Sequence, residues 1–339
     1  MKDSLLSVRH LTLQLKIEGK IYKVLNDLSF DLQKGETLAL VGETGCGKSM
    51  TALSIMQILP TPPMLPPEGE ILYRGKNLLK LPPSEMRKIR GRHIGMIFQD
   101  PSSALNPVYT IGEQLVEVGM THLGLEYDEA EERAIYALEE VQLPGPRERI
   151  HEYPHQFSGG MLQRVMIAMA LMCQPDILIA DEPTTALDVT IQAQILRLLD
   201  DLQKKKGMAL LLITHDMSVV SQAASEVVVM YAGEKIEHAP MRQLFLSPSH
   251  PYTQALFDSR PDYAYPKGRL PTIEGSVPQL QSLPSGCPFH PRCRYALEMC
   301  KGGRVPYFSL PNKSTHEVKC WLYDQDLQWK IDEEIFVED

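Results

Sequence analysis

Apolar residues spaced by two open the chain: Leu6, Val8, Leu11, Leu13 and Leu15, then Val24, Leu28, Phe30 and Leu32 beyond a Gly19-Lys20 turn. That period predicts paired strands over 4–17 and 22–33. Three short runs are apolar without alternation, at Thr37-Leu38-Ala39-Leu40-Val41, Ile177-Leu178-Ile179-Ala180 and Ala209-Leu210-Leu211-Leu212-Ile213. Runs of this length, apolar on both faces, predict buried strands of a parallel sheet. A helix over 189–204 joins the last two, which makes their connection right-handed. Further strands are expected at Gly69–Tyr73, at His93–Phe98 and in a 227–231/235–237 hairpin about Ala232-Gly233. Helical spacing recurs in Ile111, Leu115 and Val118, in Ala130, Ala134, Ala137 and Leu138, and over Met161–Met172. Ser84 is the expected cap of a short helix ending at Arg92, and the proline run Pro60–Pro67 is a loop.

The fold class that follows is α/β: a core with a parallel sheet, an antiparallel β subdomain, and a helical subdomain at about 102–173. Proline frequency rises and periodicity fades near Ser247. The expected division is therefore a large domain over 1–246 and a small cysteine-rich C-terminal domain over 247–339. A length of 339 residues fits one large and one small domain. The formal net charge of −9 argues against a chain that coats nucleic acid, which needs a clustered positive field. The first residues lack the apolar core of a signal peptide, and no apolar run approaches the roughly eighteen residues of a membrane span. A soluble intracellular chain that meets the membrane through partners is the expectation.

The chemistry starts at Gly42-Glu43-Thr44-Gly45-Cys46-Gly47-Lys48-Ser49, between an apolar strand and the predicted helix Thr51–Met56. In that setting GxxxxGK[ST] is a phosphate-binding loop, which makes the α/β core that of a P-loop NTPase and 1–246 an ATPase domain. Its glycines let backbone N–H groups face one centre at a helix N-terminus, Lys48 reaches the β- and γ-phosphates, and the Ser49 hydroxyl ligates Mg²⁺. Asp181-Glu182 follow one buried strand and His215 another, so all three gather with the loop at the carboxyl edge of the sheet. Asp181 suits Mg²⁺ through its water shell, and Glu182 suits polarising an attacking water. The alternative for the two carboxylates is a solvated helix cap, and for His215 a structural role. Tyr22 either stacks on a base or packs on its strand neighbours. Ser158-Gly159-Gly160 at a helix start is a second anion site, which one chain cannot easily bring onto its own loop but a symmetric pair can.

The ordered set Tyr22, Gly42–Ser49, Gln99, Phe157-Ser158-Gly159-Gly160-Met161, Ile177–Glu182, Ala186-Leu187-Asp188 and His215 resembles the nucleotide-binding subunit of an ATP-binding cassette transporter. The resemblance implies that ATP contacts Tyr22, the loop residues through Met50, and Gln99. It also implies that Gln99 touches Mg²⁺ and relays to membrane subunits, that Glu182 is the catalytic base and that His215 is the γ-phosphate switch. Ser158, Gly159 and Gly160 then bind γ-phosphate across a head-to-tail dimer with Asp188 at its interface. The usual signature has Leu and Gln where Phe157 and Met161 stand. Phe98–Pro107, Ala180–Thr190 and His250-Pro251-Tyr252-Thr253 are similar to the dipeptide and oligopeptide importers. Nickel and antimicrobial-peptide importers share that pattern. The implied partners are a second ATPase subunit, most simply a related chain, two transmembrane permease subunits and an extracytoplasmic peptide-binding protein. The implied place is the cytoplasmic face of the cell inner membrane. A soluble cassette acting on nucleic acid and a catalytically dead regulatory subunit are the rival readings.

Cys287, Cys293, Cys300 and Cys320 form a C-x5-C-x6-C-x19-C pattern. Structural zinc prefers pairs spaced by two to four residues, while looser spacing suits an iron–sulfur cluster, although neither common ferredoxin pattern matches. With the resemblance to the C-terminal region of the peptide importers, the expectation is a [4Fe–4S] cluster. Zinc, with His290 and His316 as possible ligands, and disulfides or unliganded thiols stay open.

Overall fold

The computed structural model describes residues 4–185, 187–259, 273–310 and 315–324. The two alternating stretches become β1 (Leu6–Ile17) and β2 (Lys20–Leu32), paired antiparallel with Leu6 opposite Leu32 and Ile17 opposite Lys20. With β4 (Glu68–Tyr73) and β5 (Lys76–Asn77) they form a four-stranded sheet in the order β2-β1-β4-β5.

The second sheet is built on the three unbroken apolar runs, β3 (Thr37–Val41), β7 (Ile177–Asp181) and β8 (Ala209–Thr214), every residue of which is buried. Adding β6 (Ile94–Ile97), β9 (Glu226–Tyr231), β10 (Glu234–Pro240), β11 (Phe308–Ser309) and β12 (Glu317–Val318) gives the order β11-β12-β10-β9-β3-β8-β7-β6. The pairs from β9 to β6 are parallel, and those from β9 to β11 are antiparallel.

Helix α1 (Lys48–Met56) leaves β3 and α2 (Pro83–Ile89) precedes β6. The insert holds α3 (Pro101–Ala104), α4 (Ile111–Leu123), α5 (Tyr127–Glu140) and α6 (Pro146–Arg149), and α7 (Gly159–Leu171) returns to the sheet. Helix α8 (Val189–Lys206) connects β7 to β8, and α9 (Met217–Ala223), α10 (Met241–Leu246) and α11 (Pro251–Asp258) follow. Helix α2 departs from expectation. Pro83, with φ preset, supplies its first residue instead of Ser84 capping it, and it ends at Ile89 because Arg90 turns extended to place its guanidinium on the carbonyls of Met56 and Gln57.

Strand alternation divides most of the interior into three cores, beside a small fourth cluster of Leu310, Val318 and Cys320. Leu178, Ala180, Leu210 and Leu212 face the helical insert, α7 and α8. Ile177, Ile179, Leu38 and Leu40 face β1, β2, β4 and α1. Ala39, Val41, Val227, Val229 and Tyr231 face the C-terminal segment, including Tyr252, Phe257, Phe289 and Val305. A separate cysteine-rich C-terminal domain gains no support from this packing. The described tail has no sheet of its own: β12 pairs with β10, and Cys287, Phe289 and Val305 complete a core begun by β3 and β9. Among the described residues no helix is long and apolar enough to cross a membrane.

Candidate functional site

The phosphate loop begins where β3 ends, and its backbone explains its glycines. Gly42 has φ +152°, and a Cβ there would lie 2.2 Å from the Met230 carbonyl oxygen; Gly47, at φ +104°, has the Leu25 side chain 2.6 Å from the same position. Only a hydrogen fits at either place. Lys48 is buried, and its Nζ donates to the carbonyls of Gly42 at 2.8 Å and Glu43 at 3.3 Å, which closes the loop into a ring. Cys46 is fully buried under the loop, its thiol pushed up by burial, and Met50 packs partly into the core below. Thr44 and Gly45 are exposed at the rim, and among the described residues the N–H groups of Thr44, Gly45 and Gly47 donate to no protein acceptor. A polyphosphate fits this donor set.

The carboxyl ends of the neighbouring strands face the loop. Ser49 Oγ donates to Asp181 Oδ1 at 3.0 Å. Burial pushes the Asp181 carboxyl above its ordinary range, and the adjacent Glu182 adds to this, so the pair Ser49–Asp181 suits a divalent cation that would offset both. Glu182, at φ +47°, carries three contacts: Gln99 Nε2 donates to Oε2 at 3.0 Å, Thr185 Oγ1 donates to Oε2 at 2.9 Å, and His215 Nδ1 lies 3.2 Å from Oε1. Five predicted residues, Ser49, Gln99, Asp181, Glu182 and His215, thus meet across four strand ends. Thr185 was not foreseen. Its position three residues after Glu182 in a turn is a signal that spacing alone leaves silent.

Other predicted residues lie apart. Tyr22 is half-buried on β2 opposite Leu15, two residues before Val24, whose carbonyl lies against Gly47. Ser158 is the N-cap of α7 without using its side chain to cap, and Gly159 and Gly160 pack against Leu187 and Ile191. Among the described residues no hydrogen bond joins Ser158, Gly159 or Gly160 to the phosphate loop. Asp188 caps α8 by accepting from Ile191 N at 2.9 Å, and Ala186 lies outside the described residues.

The tail also reaches the loop. Arg292 donates from Nη1 to Glu43 Oε2 at 2.7 Å and from Nη2 to Oε1 at 3.1 Å, while the Glu43 backbone N–H donates to Tyr252 Oη at 2.8 Å. Sequence reasoning named neither contact.

All six cysteines are free thiols. Cys287, Cys293, Cys300 and Cys320 line one small apolar cavity of about 10 Å³ with His250, Phe289, His290 and Trp321. The expected metal centre gains no support from their placement: among the described residues no three His, Cys, Asp or Glu side chains stand close enough together to hold a metal ion. Burial pushes Cys287 to about 11 and Cys320 to about 12, and raises Cys293 and Cys300, so the four thiols hold their protons unless a cation takes their place. Two buried nitrogens beside them, His250 Nε2 and Trp321 Nε1, have no hydrogen-bond partner. His316 does not line that cavity; its Nε2 is 2.7 Å from Glu237 Oε1 and both side chains are fully buried.

Against known proteins, residues 25–185 match the ABC transporter family and residues 236–300 the oligopeptide/dipeptide transporter C-terminal region. The chain is 48% identical over 323 residues to the dipeptide transport ATP-binding protein DppD of Bacillus subtilis, covering 95% of this chain and 96% of the relative. It is 46% identical over 298 residues to the oligopeptide transport ATP-binding protein OppD of Escherichia coli, 88% of each chain. Among solved structures, the ATP-binding cassette MJ0796 in a dimeric post-hydrolysis state with ADP and Pi aligns with TM-score 0.62 at 28% identity, over 70% of this chain and 99% of that one. With a phosphate loop, a carboxylate pair and a histidine held at one sheet edge, and with relatives this similar over nearly the whole length, the chain belongs to the ATP-binding subunits of ABC-type dipeptide and oligopeptide transporters.

Proposed function

We propose that the chain is the ATP-hydrolysing subunit of a dipeptide or oligopeptide importer. The observation that carries this is the convergence of Gln99, Thr185 and His215 on Glu182, beside Ser49–Asp181 and the ring closed by Lys48. Lys48 and the loop N–H groups hold the phosphates of ATP, from Gly42 through Met50, and Tyr22 receives the adenine. Ser49, Asp181 and Gln99 hold Mg²⁺, which when bound neutralises charge on the phosphate oxygens. Glu182 accepts the proton of the attacking water, and His215 and Gln99 fix its carboxylate. Ser158, Gly159 and Gly160 serve the phosphate loop of an apposed subunit, a related chain, with Asp188 at that interface. That Ser158 leaves its hydroxyl out of capping supports this.

Two membrane permeases and an extracytoplasmic peptide-binding protein complete the assembly, which places the chain on the cytoplasmic face of the membrane. Binding of a fluorescent ATP analogue in Mg²⁺ tests the reading. Lys48→Ala should abolish it, and undiminished binding would overturn the assignment of the loop.

Cys287, Cys293, Cys300 and Cys320 are the proposed ligands of a [4Fe–4S] cluster, with zinc the alternative. Their shared cavity and the two partnerless N–H-bearing rings at its wall support a group that carries hydrogen-bond acceptors. Oxygen-free purification followed by metal and sulfide analysis should give about four irons and four sulfides per chain. One zinc without iron would refute the cluster.

A further inference from the structure

Residue 43 is the point where the C-terminal segment takes hold of the phosphate loop. Its carbonyl accepts from Cys46 N at 3.2 Å and Lys48 Nζ at 3.3 Å inside the loop. Its other polar groups are bound from outside, the N–H by Tyr252 Oη and the carboxylate by both Arg292 Nη atoms. The Arg292 side chain is only 5% exposed. Its guanidinium is anchored on its own side by donating from Nε to the Glu274 carbonyl at 2.9 Å, with Tyr231 Oη at 3.3 Å from Nη1. Burial opposes the guanidinium charge, and the hydrogen bonds to Glu43 and Tyr231 more than restore it, so its charge is held firmly. Beneath the pair, Tyr231, Tyr252 and Phe289 form an edge-to-face trio with centroids 4.7 to 5.3 Å apart, which stiffens the platform.

We propose that Arg292 and Tyr252 are positioning residues for ATP binding, which hold the outer side of the phosphate loop through Glu43 and make its affinity depend on the docked C-terminal segment. The loop's inward N–H groups share one backbone with residue 43, so a shift there turns the cradle away from the phosphates. A planar fork is needed for both carboxylate oxygens, which a lysine cannot supply.

The inference rests on reading Gly42–Ser49 as the nucleotide loop, and the test separates the two. In the full chain, equilibrium binding of a fluorescent ATP analogue and ATPase kinetics are measured beside thermal unfolding. Arg292→Gln should raise Kd and KM for ATP about tenfold, the scale set by losing a charge-assisted hydrogen-bonded pair, with kcat within about twofold. Tyr252→Phe should raise Kd about threefold, and Arg292→Lys should recover only part of the loss. A purely structural role lowers the melting temperature and leaves Kd unchanged, and that result overturns the proposal. If Arg292→Gln does not fold, Tyr252→Phe decides alone, unchanged affinity again overturning it. Lys48→Ala is the separate check: binding that survives it removes the loop reading and this inference together, whereas binding lost in Lys48→Ala but unchanged in Arg292→Gln removes only the inference.

Discussion

Replacing Glu182 by Gln exchanges one oxygen for an amide group at nearly constant volume. The amide oxygen can stand where Oε2 accepts from Gln99 and Thr185, and the amide N–H then meets His215 Nδ1 in the tautomer that accepts. Gln tolerates the backbone at φ +47° as Glu does, since the two are alike at Cβ. Stability should therefore change by no more than about 1 kcal/mol. What disappears is the negative charge and with it the proton acceptor. A positioned general base contributes about 10²–10⁴-fold, and at about 1.36 kcal/mol per decade the barrier rises by roughly 3–5 kcal/mol. Lys48, Ser49 and the loop glycines are untouched, so nucleotide affinity should stay within a small factor. The assay is single-turnover phosphate release at saturating ATP and Mg²⁺, with analogue binding measured on the same preparation. A release rate within threefold of the parent, with binding intact, would refute Glu182 as the base and leave the carboxylate a structural cap.

Gly42→Ala places a methyl group 2.2 Å from the Met230 carbonyl and 2.8 Å from Cys46 Sγ, and the loop must part from β9 to admit it. We expect a loss of roughly 1–3 kcal/mol in thermal unfolding together with loss of ATP binding, and an unchanged melting curve would contradict the geometry. His250 is wholly buried, and burial lowers it from 6.5 to about 4. Between those values the unfolded chain holds a proton that the folded chain does not, so stability should fall as pH drops from 6.5 towards 4, by about 3 kcal/mol in full. In His250→Asn, urea titrations across that window should show a flatter slope than the parent; equal slopes would disprove the assignment.

The parallel core was legible because β3, β7 and β8 are aliphatic on both faces, a pattern that leaves a strand nowhere to sit except between layers. Once those strands were placed, the phosphate loop, Asp181-Glu182 and His215 had to share an edge. The tail was not legible in the same way. Arg292 and Glu43 are 249 positions apart, and nothing beside either residue announces the other. His316 read as a metal candidate because its partner Glu237 lies 79 positions earlier on β10, buried where no local pattern marks a carboxylate. Cysteine spacing reported that four thiols would share a neighbourhood, which they do, but not how closely their sulfurs approach, which depends on packing across the whole tail.

Strand β3 explains why tail and cassette act as one body. Leu38 and Leu40 point into the core shared with β1, β2 and α1, while Ala39 and Val41 point into the core closed by Tyr252, Phe289 and Val305. The strand that delivers the phosphate loop is therefore packed from below by the antiparallel sheet and from above by the C-terminal segment. Without that segment Val41, Val229 and Tyr231 would lie open beside the loop, at a cost of roughly 1.5–3 kcal/mol for each large side chain exposed. The two tethers on Glu43 extend the same packing by one residue, from the end of the strand into the loop. A segment that covers the strand and grips the first residues beyond it sets the position of the loop as directly as the glycines within it.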